Sequence, residues 1–94
     1  MKEKIAERIN SNLAVKTLEI KDVSHLHQGH SGWQEGGETH FNLLVVSDDF
    51  QQKSRIERHK VVLKMLEDFM KSSIHALSMK LHTEQEYDLI NHKK

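Results

Sequence analysis

The sequence predicts an α+β fold of two layers, in which helices cover one face of a three-stranded mixed sheet. A four-residue apolar period near the N-terminus predicts a helix, and a dense apolar run over 41–46 predicts a central strand. A period-two pattern over 74–82 predicts a third strand. The predicted order is α-β-β-α-β-α, and a short helical turn at 48–51 would make it α-β-β-α-α-β-α, an order typical of a helical layer on a sheet.

The chain is predicted to begin with a helix over 2–12 and to continue with a half-exposed strand over 15–23. The helix has one apolar stripe, formed by Ile5, Ile9 and Leu13. In the strand, Leu18 and Ile20 share one face and Glu19 and Lys21 the other. Each element therefore has one apolar side that must pack against the rest of the chain.

All four glycines lie between His25 and Gly37, which predicts a loop between the first two strands. His25, His27 and His30 form an H-x-H-x-x-H set there, a spacing able to surround one divalent ion if the loop folds back. The alternative is a polar connection without a ligand role, because short motifs often match by chance.

The central strand is predicted over 39–46, and it stops at Ser47, Asp48 and Asp49, which are turn and cap formers. Ser54 and Glu57 have the spacing of a capping box, so a helix is predicted from Ser54 to about Lys71. Its inward positions are Val62, Met65, Leu66 and Phe69.

The third strand is predicted to carry four residues on one side: His75, Leu77, Met79 and Leu81. That parity alone predicts a partly buried His75. The helical segment before this strand is long enough for a right-handed crossover, so the second and third strands are expected to be parallel. A last short helix is predicted to begin at Thr83.

Composition limits the class of protein. The 94 residues predict one domain over 1–94, and zero cysteines exclude a thiolate site supplied by this chain. Fourteen basic and fourteen acidic residues balance, so no overall field favours nucleic acid. With no long apolar segment and a highly charged N-terminus, we expect a cytoplasmic protein without membrane association. The count of eight histidines is unusual for this length.

A series of short motifs along most of the chain resembles the BolA family in both order and spacing. They include Thr39-His40-Phe41, Val45-Val46-Ser47, Arg58-His59, Ile74-His75-Ala76-Leu77-Ser78 and Glu86-Tyr87. The resemblance implies a type II KH-like fold. It departs in two places: the family usually has glycine where this chain has Gln52, and tryptophan where it has Tyr87. The first departure removes any match to the GXXG loop of true KH domains.

The resemblance also implies a function. BolA-like proteins pair with monothiol glutaredoxins, so we expect a heterodimer bridging a 2Fe-2S cluster, with cysteine and glutathione thiolates from the glutaredoxin side and histidine from this chain. His75 matches the family's cluster-binding histidine, and His30 matches its loop ligand best, with His27 and His25 as alternates. His40 and His59 are interpreted as structural. No cofactor is expected in the free protein.

The alternative function is transcriptional regulation through a helix-turn-helix-like segment at 48–64. The candidate DNA-contacting side chains are Lys53, Arg55, Arg58, Lys60 and Lys64. Because Asp48, Asp49 and Glu57 dilute this charge, we expect at most weak binding that falls steeply with salt. A solvated helix face is the plainer interpretation. No nucleophile, acid-base pair or phosphate loop is recognisable, so we predict that the protein is not an enzyme.

Overall fold

A computed structural model describes residues 1–23 and 40–92, and the predicted order of elements is confirmed over them. The helices are α1 (Lys2–Asn12), α2 (Arg55–Met65), α3 (Glu67–Ser72) and α4 (Glu84–His92), with a 3-10 helix at Asp48–Phe50. The strands are β1 (Val15–Asp22), β2 (His40–Ser47) and β3 (Ala76–His82). The bounds of α1 are those that its apolar stripe predicts.

The three strands form one mixed sheet with β2 in the centre. β1 pairs antiparallel with β2, and Leu18 lies opposite Val45. β3 pairs parallel with β2, and Leu81 lies opposite Val45 on the other side. The parallel pairing confirms the predicted crossover. The same pairing places His40, at the start of β2, opposite Ala76, at the start of β3.

One face of the sheet carries the hydrophobic core. Its strand residues include Phe41, Leu43, Val45 and Leu81, and its helix residues include Ile5, Ile9, Val62 and Leu66. The prediction of helices on one face holds for α1, α2 and α3. Val46 points to the other face and is also fully buried. That end of the second face is covered by α4, which contacts β2 and β3.

The predicted continuous helix from Ser54 to Lys71 is wrong at one position. The capping box is present, with the Ser54 hydroxyl accepting from the Glu57 amide and the Glu57 carboxylate accepting from the Ser54 amide. The helix is interrupted at Leu66, however, whose φ and ψ are −102° and 13°. The Met65 carbonyl there accepts a 2.7 Å hydrogen bond from the Arg8 guanidinium of α1, so a partner outside the helix satisfies it.

The turn before α2 contains Gln52, which has a φ of 63°. It is the one residue other than glycine with a positive φ in the described parts of the chain. Only glycine adopts this left-handed conformation without a steric cost. The backbone shape that glycine would favour is therefore retained here by glutamine.

Candidate functional site

His75 lies in a bend just before β3, which begins one residue later at Ala76. The prediction that His75 is partly buried on the side of Leu77, Met79 and Leu81 is wrong, because His75 is exposed. Strand alternation does not apply to a residue before the first ladder pair, and Ile74 fills the buried place instead. The imidazole is thus open to a partner.

The ring of His75 stacks on the ring of His40. The two ring centroids are 6.2 Å apart and the ring planes are inclined by 23°, within the usual range for aromatic pairs. His40 begins β2 and lies opposite Ala76 in the parallel ladder, which brings its ring next to His75. The side chains of two residues 35 positions apart therefore meet at one end of the sheet.

His40 is only 5% exposed, and its backbone carbonyl accepts a 2.9 Å hydrogen bond from the Val23 amide. The structural role predicted for His40 agrees with this burial. Its contact with His75 is a feature that sequence reasoning missed. No motif predicts this contact, because it follows from the register of β2 against β3.

The described residues offer few ligands for a metal. Within 1–23 and 40–92, no group of three His, Asp or Glu side chains is close enough to hold an ion. In the same residues the ring nitrogens of His75 make no hydrogen bond, so both are available to an external group. The predicted loop ligands His25, His27 and His30 lie outside the described residues.

The five predicted DNA-contacting residues do not form one surface. Lys60 and Lys64 are one turn apart on α2, and both are exposed. Arg55 is displaced from them by about 140° to 180° around the helix, at 100° per residue, and it lines a cleft beside Lys80 and Tyr87. Lys53 precedes the helix and is exposed.

Arg58 is engaged within the fold. Its guanidinium donates to the Glu86 carboxylate at 2.6 Å and 3.0 Å and to the carbonyl oxygens of Leu81 and Lys53 at 3.1 Å each. It also lies 5.9 Å from the centre of the Phe50 ring. Its side chain is 11% exposed. An arginine with this many internal partners has little capacity left for a phosphate.

Glu86 completes the link between α2 and α4. The hydrogen bonds from Arg58, followed by that from the Thr83 amide, lower the pKa of Glu86 from its usual 4.5 to about 2. The Thr83 hydroxyl in turn accepts from the Glu86 amide at 3.3 Å, so the start of α4 has its own capping box. The Arg58 and Glu86 of the sequence motifs thus have a structural role.

His59, also predicted to be structural, is half-buried on α2. Its Nδ1 lies 2.8 Å from the Arg55 carbonyl, one helical turn earlier, which is the geometry of an N–H donor and its acceptor. This contact orients the ring locally. His59 lines a cleft with Leu81 and His82 at the end of β3, whereas His75 precedes the start of that strand, so the two histidines occupy separate sites.

Comparisons with known proteins agree with this fold. Residues 9–86 match the family model described as BolA-like protein. The chain is 42% identical over 87 residues to SufE-like protein 1, chloroplastic/mitochondrial, of Arabidopsis thaliana. It is 34% identical over 87 residues to the DNA-binding transcriptional regulator BolA of Haemophilus influenzae. Among solved structures, the BolA domain of SufE1 from Arabidopsis thaliana superposes with a TM-score of 0.80 at 44% identity.

The extent of these matches differs. The alignments cover 88% of this chain but 24% of the Arabidopsis relative, and 93% of this chain and 81% of the Haemophilus relative. The solved domain is matched over 92% of its length and 89% of this chain. The chain thus corresponds to about a quarter of the longer relative and to most of the shorter one.

Proposed function

Because this chain belongs to the BolA-like protein family, we propose that it is an accessory protein that binds a monothiol glutaredoxin and co-ligates a bridging 2Fe-2S cluster through histidine. It acts by binding and not by turnover, in cluster trafficking or in iron and redox regulation. The observation that supports this proposal is the exposed imidazole of His75, in the bend just before β3.

The chemistry of the available ligands fits a shared cluster. Such clusters are held by four ligands, mostly cysteine thiolates, and imidazole replaces thiolate in some of them. This chain has no cysteine, and its described residues offer one exposed imidazole here, so the thiolates must come from a partner. The glutaredoxin cysteine and glutathione would supply them. A second histidine, for which His30 remains our choice over His27 and His25, would come from the segment outside the described residues.

The proposal is tested by titrating the protein into a cluster-loaded monothiol glutaredoxin and recording visible circular dichroism. We expect a new spectrum for the mixed complex, and its loss with His75→Ala. His59→Ala is the matched control, since this second family-typical histidine lies on α2 and should leave the spectrum unchanged. An unchanged spectrum on mixing, or the same mixed spectrum with His75→Ala, would reject the proposal.

A second candidate is DNA-binding transcriptional regulation, which the name of the Haemophilus relative favours. The exposed pair Lys60 and Lys64 supports it, whereas the internal partners of Arg58 weaken it. We expect weak, non-specific binding, measured by titrating labelled duplex DNA at low and physiological salt. Nanomolar, salt-tolerant binding to one sequence would reverse the ranking of the two functions.

Localisation in the cytoplasm stays a prediction. The described residues contain no helix that is long and apolar enough to cross a membrane. The Arabidopsis relative carries a chloroplastic/mitochondrial name, so family membership is compatible with more than one compartment. Fractionation of cells that express the full-length protein would decide between them.

A further inference from the structure

We propose that His40 is a positioning residue, whose buried ring holds the His75 imidazole in the orientation needed to reach a partner-held cluster. This inference rests on the proposed function, because it concerns the same histidine. It adds a second residue to the site, one that does not itself coordinate. The two rings, 6.2 Å apart with planes inclined by 23°, provide the contact that carries it.

The burial of the two histidines differs in a way that suits these roles. His40 is 5% exposed and lies within the first ladder position of the central strand. His75 is exposed and precedes its strand. The buried ring of His40 can restrict the motion of the His75 ring and still leave the His75 ring exposed to solvent. His40 is therefore the support, and His75 is the group that is presented.

The backbone around His40 is fixed from both sides. Its carbonyl accepts from the Val23 amide beyond the end of β1, and its position in the ladder is opposite Ala76 of β3. Ala76 follows His75 directly, so the same pairing that fixes His40 also fixes the backbone next to His75. The sheet therefore fixes the backbone positions from which the two rings extend.

The form of this support leaves both nitrogens of His75 accessible. Metal-binding histidines usually donate their second ring N–H to a carboxylate or carbonyl, which fixes the ring. In the described residues His75 has no such hydrogen bond. A stacking contact acts on the face of the ring, so it restricts rotation about the side-chain bonds and uses neither nitrogen. This is the role that we assign to His40.

Two substitutions separate support of the ring from simple space filling. His40→Phe keeps an aromatic plane and removes the nitrogens, whereas His40→Leu keeps an apolar side chain of similar size and removes the plane. If His40 only fills space, the two variants should leave His75 equally ordered. If it positions His75, only His40→Leu should release the ring. His59→Leu, on α2, is the matched control.

The first measurement uses the free protein and needs no cluster. NMR side-chain couplings and ring-to-ring NOEs report whether His75 occupies one rotamer. We expect one rotamer and a His40–His75 NOE in the wild type, retention of the single rotamer in His40→Phe, and averaging in His40→Leu with the remaining spectrum unchanged. Averaging in the wild type would overturn the proposal without any variant, which covers the case in which His40→Leu does not fold.

The second measurement is the affinity for cluster-loaded glutaredoxin. We expect about 10-fold weaker binding for His40→Leu and binding within about 2-fold of wild type for His40→Phe, in the range seen when residues that orient metal ligands are changed. In a His75→Ala background, His40→Leu should have no further effect. An equal loss in both backgrounds would overturn the positioning role. If His75→Ala itself has no effect, the proposed function fails, and the rotamer measurement still decides the role of His40.

Discussion

The Arg58 guanidinium and the Glu86 carboxylate form two hydrogen bonds, at 2.6 Å and 3.0 Å, that connect α2 to α4. The two residues are 28 positions apart in the chain. Arg58 also donates a hydrogen bond to the carbonyl of Leu81, near the end of β3. Mutual hydrogen bonding raises the pKa of Arg58 and lowers that of Glu86. Both groups are therefore charged in the native state.

Arg58→Lys should destabilise the protein by about 2 kcal/mol, since lysine cannot reproduce the paired bonds and leaves the Leu81 carbonyl without its donor. Urea unfolding measures this difference. Arg55→Lys is the matched control, because Arg55 is exposed on the same turn of the helix. Equal midpoints for the two variants would contradict the structural role of Arg58.

The stability of the protein should fall in acid partly through Glu86. Its native pKa of about 2 is below the ordinary value of 4.5, so its contribution is complete above pH 4.5 and is lost as the pH falls towards 2. The Glu86 side chain is 43% exposed, and solvent screening reduces the contribution to about 1 kcal/mol.

Urea unfolding of wild type and Glu86→Gln between pH 2 and pH 6 tests this prediction. The two proteins should differ most near pH 6 and converge towards pH 2, whereas Asp88→Asn, an exposed position on the same helix, should follow the wild type. A difference that stays constant across the range would mean that ionisation of Glu86 is not its source.

Gln52→Gly should stabilise the protein by about 0.5 to 1 kcal/mol. The φ of 63° costs glutamine free energy that glycine does not incur, and this outweighs the larger backbone entropy of glycine in the unfolded chain. Thermal unfolding gives the result. Gln51→Gly is the control. Gln51 has a φ of −59°, which glutamine adopts without strain, so glycine there should lower the stability. A Gln52→Gly variant with a lower Tm than wild type would refute the strain.

Arg8→Ala should destabilise the protein and loosen α3, because it removes the donor to the Met65 carbonyl. Arg8 donates to the Met65 carbonyl and to both carboxylate oxygens of Asp68, and its guanidinium lies 4.4 Å from the centre of the Phe69 ring. Hydrogen exchange of the Met70 amide, which donates to the Leu66 carbonyl, should accelerate in Arg8→Ala.

The control for the Arg8 substitution is Lys4→Ala, one turn earlier on α1, which should leave the exchange rate of the Met70 amide unchanged. Equal exchange in both variants would contradict the contact.

Local patterns predicted the secondary structure well, because they depend on neighbouring residues. The spacing of Ile5 and Ile9 located α1, and Ser54 with Glu57 located the start of α2. The interruption at Leu66 was not predictable in this way, since the donor that satisfies the Met65 carbonyl there is Arg8, 57 residues away in the chain. The sequence before the break remains a good helix former.

The candidate site was predictable only in part. The motif around His75 indicated that residue, but its exposure depends on where β3 begins, at Ala76, two positions later than the period-two pattern over 74–82 suggests. The contact between His40 and His75 depends on the register of two parallel strands, which no single segment contains. For the same reason the internal partners of Arg58 could not be deduced from its neighbours on α2.

The position of β3 at the edge of the sheet has a consequence for binding equilibria. Among the strands of residues 1–23 and 40–92, β3 pairs with β2 alone, so a partial opening can detach β3 while the β1–β2 pair stays formed. In such molecules His75 is separated from His40. A partner that needs the proposed His40–His75 contact would capture only the closed population, and its apparent dissociation constant would be the intrinsic constant divided by that population. Substitutions at Leu81, buried six residues from His75, can therefore weaken binding without touching the partner.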